Sequence, residues 1–479
     1  KVGHFAALAA YVLISDLSRT DFQMASRMSK WLLRPLKGRD YATQTVTQIK
    51  TDAKPLIPSQ GAKITQLPNG ILVASLENYS PITRIAAVAL AGSRCETPQN
   101  IGITHCIRVL AGLSTKGVSS FGLTRSVMQM GGSFSCTTSR EFMQYTIQCQ
   151  RDSVQEALEP LVDIITKPAF KAWEVKDIQP HMELDLAILE AQPENHLMEL
   201  LHEAAFRDTL GRSLYAPAFK IGKYNPEQLM SFVHNQYTAG RIAVVGVGVD
   251  HDFLTHKLMR LKPFDASDVE TKKAVFHGGE LRVPSPLDLT YVAVATEGPS
   301  LNSKEYLAAG VLQMILGSGP FLKYSSNITC SKLARAVSKV TDQPFAISGL
   351  NASYSDSGLF GFVAISQPED MEKVLRGAFK EMAGLSKTGV SDEEVQRGKN
   401  QLKSSILMSL EDGNNLLTDL VAQSLLYKKF VSPEELSRNI DDISKNDINN
   451  VAKKIVNGKP AMAAVGDLSN TPYLDELWK

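Results

Sequence analysis

The sequence predicts an α+β fold of two homologous domains, each with a mixed and antiparallel sheet beside helices. Three observations carry this. The block Asn351-Ala-Ser-Tyr-Ser-Asp-Ser-Gly-Leu-Phe-Gly-Phe-Val-Ala-Ile follows Ser135-Cys-Thr-Thr-Ser-Arg-Glu-Phe-Met-Gln-Tyr-Thr-Ile at about 217 residues, with polar and aromatic positions in step. Ala461-Met-Ala-Ala-Val-Gly follows Ile242-Ala-Val-Val-Gly-Val at about 219 residues, so both echoes share nearly one offset and one order. Within each half, strand patterns precede helix patterns, which suits α+β better than repeating βαβ units. The expected boundaries are a leader at 1–41, an N-terminal domain at 60–262, a linker at 263–286 and a C-terminal domain at 287–479. The linker assignment rests on Pro263, Gly278-Gly279, Pro284 and Pro286 among many charges.

Taken in order, Ile64 to Leu67, Pro68-Asn69-Gly70 and Ile71 to Leu76 read as strand, turn and strand, because Asn-Gly favours a hairpin. Ile82 to Leu90 is an apolar, β-branched strand. Gly102 to Leu113 spaces Ile103, Cys106, Ile107, Val109, Leu110 and Leu113 helically. Gly131-Gly132 opens a strand pair, clearest at Tyr145 to Ile147. Val154 to Ile165 and Glu174 to Leu189 are helical, with Pro180 kinking or restarting the second. Pro193 permits a new start, and Glu194 to Phe206 continues. Pro226 to Tyr237 is a helix and Ile242 to Val249 a strand. The second half repeats this with a strand at Thr290 to Thr296, a helix at Glu305 to Leu316, the Asn351 strand and turn, and helices at Glu393 to Leu410 and Asp447 to Val456.

The leader is basic. Residue 1 is Lys, and Phe5 to Ile14 is apolar but short. A secretory signal beginning at Lys1 is one reading; a natural start at Met24 is the other. After Met24, Arg27, Lys30, Arg34, Lys37 and Arg39 precede the next acid, Asp40, and Trp31 to Leu33 give an apolar face. A cationic, amphipathic, acid-poor segment is the pattern of a mitochondrial transit peptide, here 24–41. Arg39-Asp40-Tyr41-Ala42 then predicts a mature start at Ala42.

The 479 residues are 43% apolar and 21% charged, which excludes collagen, long coiled coil and wholesale disorder. A net charge of +1 argues against a nucleic-acid partner. No apolar run reaches the length of a spanning helix. Five sparse cysteines, at 95, 106, 136, 149 and 330, without C-x-x-C spacing, point to a reducing compartment rather than a disulfide framework.

One segment carries a chemical signature. Gly92-Ser-Arg-Cys-Glu-Thr-Pro-Gln-Asn-Ile-Gly-Ile-Thr-His105-Cys-Ile-Arg108-Val109 resembles the pitrilysin and mitochondrial processing peptidase family. Its members have two such halves, here expected to form a bowl, and an inverted zinc motif, H-x-x-E-H, with a distal Glu. The resemblance implies that His105 stands at the first ligand, Arg108 at the general base, Val109 at the second ligand and Asp185 near the distal acid. Glu183 and Glu190 are the alternatives if the register slips. A guanidinium cannot take a proton and repels a dication, and valine has no lone pair. No catalytic, metal or cofactor residue is therefore expected, and His105 reads as a leftover polar residue.

Other chemistry is weaker. Gly317-Ser-Gly-Pro-Phe lacks the Lys-Ser/Thr of a phosphate loop, and Gly246-Val-Gly-Val is too short for a dinucleotide site. His196, His202, His251 and His256 form no grouping by spacing.

Leu201-His-Glu-Ala-Ala-Phe206, the Asn351 block and Ala463-Ala-Val-Gly-Asp-Leu-Ser-Asn-Thr-Pro-Tyr-Leu-Asp-Glu-Leu477 are similar to the core-subunit branch of the family, found in mitochondrial ubiquinol–cytochrome c reductase, respiratory complex III. That resemblance spans roughly residues 60 to 479. It implies a non-catalytic subunit without cofactors, peripheral on the matrix side of the inner membrane. Expected partners are core protein 1, cytochrome b, the cytochrome c subunit and the Rieske iron–sulfur protein, in a dimeric complex. The alternative is the non-catalytic α subunit of the processing peptidase. That subunit carries a long glycine loop where Gly317 to Asn327 holds only two glycines.

Overall fold

The computed structural model describes residues 61–264, 271–319 and 331–478. The leader, Met24 and Ala42 lie outside these residues, as does 320–327 of the Gly317 loop.

The first half opens with β1 (Lys63–Gln66) and β2 (Leu72–Leu76), paired antiparallel with Gln66 opposite Leu72. Between them the Gly70 N–H donates to Leu67 O at 2.9 Å, and Gly70 has φ +83°, a conformation where a Cβ is strained. Then come β3 (Ile82–Ala89), α1 (Ile103–Leu110), α2 (Ser120–Gln129), β4 (Ser133–Thr138), β5 (Met143–Gln150) and α3 (Val154–Thr166). Next, α4 (Ala172–Asp177) gives way to α5 (Gln179–Ala191). Pro180 falls in the first turn of α5, so the proline restarts the helix rather than kinking it. Pro193 starts α6 (Pro193–Phe206) in the same way, followed by α7 (Pro226–Gln236), β6 (Ile242–Val247) and α8 (His251–Leu258).

The second half contains β7 (Gly279–Pro284), β8 (Thr290–Glu297), α9 (Tyr306–Leu316), α10 (Lys332–Val337), β9 (Phe345–Ser353) and β10 (Gly358–Ser366). It ends with α11 (Met371–Thr388), α12 (Asp392–Glu411), α13 (Gly413–Tyr427), α14 (Pro433–Asp441), α15 (Lys445–Asn457), β11 (Pro460–Gly466) and α16 (Leu474–Leu477). The 263–286 segment read as a linker thus supplies a strand. Gly278, Gly279, Pro284 and Pro286 sit at the ends of β7, where they bound the strand without interrupting it.

The first sheet runs β1-β2-β6-β3-β5-β4 and the second β7-β11-β8-β10-β9. Without β1 the two orders match strand for strand. In each sheet the parallel pair falls at the same place, β2 with β6 and β7 with β11, and the other pairings are antiparallel. The duplication read from two sequence echoes is therefore a duplication of topology.

Each sheet is buried on both faces. The first packs α1, α3 and α7 on one side, through Val73, Ile85, Ile107, Leu161 and Leu229. Its other face, through Ala74, Ala86, Val88 and Val245, meets Leu417, Leu420 and Val421 of α13, a helix of the second half. Reciprocally, Leu197, Leu201, Ala205 and Phe206 of α6, from the first half, cover Ala293, Ala295, Ala461 and Ala463 of the second sheet. Small alanines on each sheet admit the larger side chains of the visiting helix. Burying each such leucine contributes about 1.5–3 kcal/mol.

Candidate functional site

The segment from His105 to Val109 lies on α1. Gly102 begins the helix at φ +78°, and a Cβ there would come within 2.5 Å of the Ala216 Cα. Glu96 satisfies the first turn, accepting from the Gly102 N–H at 2.7 Å, the Thr104 N–H at 3.0 Å and the Thr104 hydroxyl at 2.6 Å. Burial nevertheless holds the Glu96 carboxyl above its usual range. The cap fixes α1 against the 215–224 segment and so sets the position of His105.

His105 is fully buried. The Ala216 backbone N–H donates to its Nδ1 at 3.0 Å, so Nδ1 is the acceptor and Nε2 carries the proton. Nε2–H in turn donates to Asp185 Oδ2 on α5 at 3.0 Å. Both ring nitrogens are committed, and no lone pair remains for a metal. Burial lowers the imidazole's affinity for a proton and the nearby Arg108 charge adds to this, while Asp185 opposes it.

Arg108, one turn further along α1, donates from Nη2 to the same Asp185 Oδ2 at 2.7 Å. Burial alone would raise the Asp185 carboxyl, but the His105 hydrogen bond and the Arg108 charge outweigh it and hold the carboxyl below its usual range. Tyr215 packs edge-on to His105 at 5.5 Å, with the Arg108 guanidinium 6.0 Å from its ring centre. Val109 is half-buried against the first core. Glu183 and Glu190 are exposed on α5.

Zinc does not fit these residues. Arg108 already sits at the Asp185 carboxylate, Val109 is aliphatic, and the His105 imidazole is saturated. Among the described residues no group of three or more His, Cys, Asp or Glu side chains is gathered where a metal could bind.

The Asn351 block does different work. It forms the β9–β10 hairpin, whose tip docks on the first half. Tyr354 OH donates to His202 Nε2 at 2.7 Å, while His202 Nδ1 donates to Met198 O at 2.7 Å. Burial and the nearby Arg140 charge drive the His202 proton affinity far down, so it is a neutral hydrogen-bonding core residue. Arg94 bridges Glu141 at 3.0 Å and Asp356 Oδ1 at 2.9 Å. Spacing along the chain could not reveal this network, since its members lie 47 to 262 residues apart. His251 is held between Thr65 and Ser75, each at 2.8 Å.

The duplicated sheets and the altered helix motif define a class. The insulinase-type peptidase family M16 matches residues 72–218, and the peptidase M16 inactive domain matches residues 223–402. The chain belongs to the M16 peptidase family. Within it, the chain is 40% identical to human cytochrome b-c1 complex subunit 2, mitochondrial, over 92% of this chain and 98% of that one. The mouse protein of the same name is 37% identical over the same shares. The human mitochondrial-processing peptidase subunit alpha is more distant, 28% identical over 87% of this chain and 84% of its own length. A chain of the solved structure "Complex III2 from Candida albicans, Inz-5 bound" superposes with a TM-score of 0.77. It is 24% identical and covers 87% of this chain and 99% of its own, a match of fold.

Proposed function

We propose that this chain is a non-catalytic structural core subunit of mitochondrial respiratory complex III, needed for assembly and stability of the ubiquinol-to-cytochrome c electron-transfer complex. The observation that carries this is the 40% identity extending over nearly the whole length of a cytochrome b-c1 subunit 2. The site supports it, because Arg108 and Val109 remove the base and a ligand that zinc peptidase chemistry needs. The partners are core protein 1, cytochrome b, the cytochrome c subunit and the Rieske protein, and the redox centres belong to them. Its place is peripheral, on the matrix side of the inner membrane. Among the described residues no helix is long and apolar enough to cross a membrane.

Blue-native electrophoresis of detergent-solubilised mitochondria, with mass spectrometry of the band holding this chain, tests the assignment. Co-migration with cytochrome b and the Rieske protein is expected. Migration as a small soluble heterodimer that cleaves presequences would instead select the processing-peptidase α subunit. Metal analysis of the purified chain is expected to find less than one tenth of a zinc per chain. The triple variant Arg108→Glu, Val109→His, Asp185→Glu restores the ligand set and is the minimum change expected to recruit zinc.

A further inference from the structure

The helix that the second half lends to the first sheet has two unlike faces. Leu417, Leu420 and Val421 of α13 lie on the first sheet. Asp419, Gln423 and Tyr427, spaced at i, i+4 and i+8, share another face turned toward the second half. There Tyr427 OH donates to Leu301 O at 2.9 Å, and Gln423 Oε1 accepts from the Val431 N–H at 2.7 Å. Asp419 is 5% exposed, and its side-chain donor is Gln423 Nε2 at 2.8 Å.

No cation accompanies this carboxyl among the described residues. Arg84 of β3 bonds Asn414 at the start of α13. Lys399 and Lys403 of α12 are taken by Asp441, through its carbonyl and carboxylate. Glu141, between β4 and β5, is held by Arg94. The titratable groups that Asp419 acts on are the phenols of Tyr306 on α9, which is buried, and Tyr427, which is half-buried. A neutral acid suits such a seam; an uncompensated carboxylate does not.

We propose that Asp419 makes the seam between α13 and the second half a pH-responsive joint, closed while the carboxyl keeps its proton and loosened when it gives the proton up. Burial pushes the Asp419 carboxyl up to about 7, against the pull of the Gln423 hydrogen bond. The folded value thus exceeds the unfolded one near 4. The closed seam binds a proton that the open seam releases. Its stability is complete below pH 4, declines as pH rises, and levels off once pH passes about 7.

Hydrogen exchange of the full-length chain in its native detergent-extracted assembly reads this directly. After correction for the intrinsic pH dependence of exchange, protection of the 413–427 amides is expected to fall about tenfold per pH unit between pH 5 and 7, then plateau. Asp419→Asn is expected to be flat across the range. Flat protection in the natural chain, or an equal fall in Asp419→Asn, would overturn the proposal. Gln423→Leu provides a second route should the first variant not assemble. Losing the donor to the carboxylate should move the plateau to higher pH, and an unchanged plateau counts against the joint.

Discussion

At the scale of single residues, the Asp185 carboxylate joins two helices by serving both Arg108 and the Nε2–H of His105 on α1. The carboxylate's contribution is present above its unfolded value near 4 and lost as pH falls through its lower folded value. The pair is more than a quarter exposed, so its worth is modest. Asp185→Asn is expected to destabilise the chain by about 0.5–1.5 kcal/mol at pH 7 and by less at pH 3. Urea denaturation at the two pH values checks this, and an equal loss at both would exclude the charge as the cause. The apolar spacing of the sequence placed His105, Arg108 and Val109 on one helix, and α1 carries all three. That Arg108 reaches across to Asp185, and that the Ala216 N–H fixes the tautomer, depend on elements 77 and 111 residues away and leave no local trace.

At the scale of elements, what could be read was what carries a strong apolar pattern, whether striped like α1 or continuous like β6. The helix at α1 shows an apolar stripe because Ile103, Cys106, Ile107 and Leu110 face the first core, while Thr104, His105 and Arg108 lie on the side that bonds Glu96 and Asp185. α13 has no stripe to see. Its apolar face meets the first sheet, and its Asp419 and Gln423 face is buried against the second half. β7 was hidden by the punctuation at its ends, Gly278-Gly279 and Pro284. The exit from α13 yields a prediction. Lys428 takes the left-handed conformation, φ 52° and ψ 25°, with its N–H on Ser424 O at 3.2 Å and its side chain exposed. Glycine has no Cβ penalty there, so Lys428→Gly is expected to stabilise by about 0.5–1 kcal/mol, visible as a higher thermal midpoint.

At the scale of the whole molecule, two features stand out among the described contacts that join the halves. One is the pair of exchanged helices. The other is Arg94, which is 8% exposed and reaches Glu141 of its own half, Asp356 of the other and Lys272 O between them. Asp356 also accepts from the Ala274 N–H at 2.8 Å, tying the interdomain segment to the hairpin tip. Arg94→Ala leaves two acids in the seam without their cation and is expected to cost about 3–5 kcal/mol. A loss under 1 kcal/mol in chemical denaturation would show that the seam relaxes around the gap.

The exchange of α6 and α13 also bears on ancestry. A chain that arose by duplicating a half-length unit inherits the surfaces that unit presented to itself. Because each half covers the other's sheet with the equivalent helix, the single unit would have done so with a second copy, as a symmetric pair in which each member lent its helix. Fusion of the two genes would have made an association between molecules permanent within one. A fragment ending before residue 265 carries α6 but lacks the helix its own sheet requires. In light scattering it is expected to run as a dimer at micromolar concentration, and to become monomeric when the 271–478 fragment is added and takes the place of the second copy.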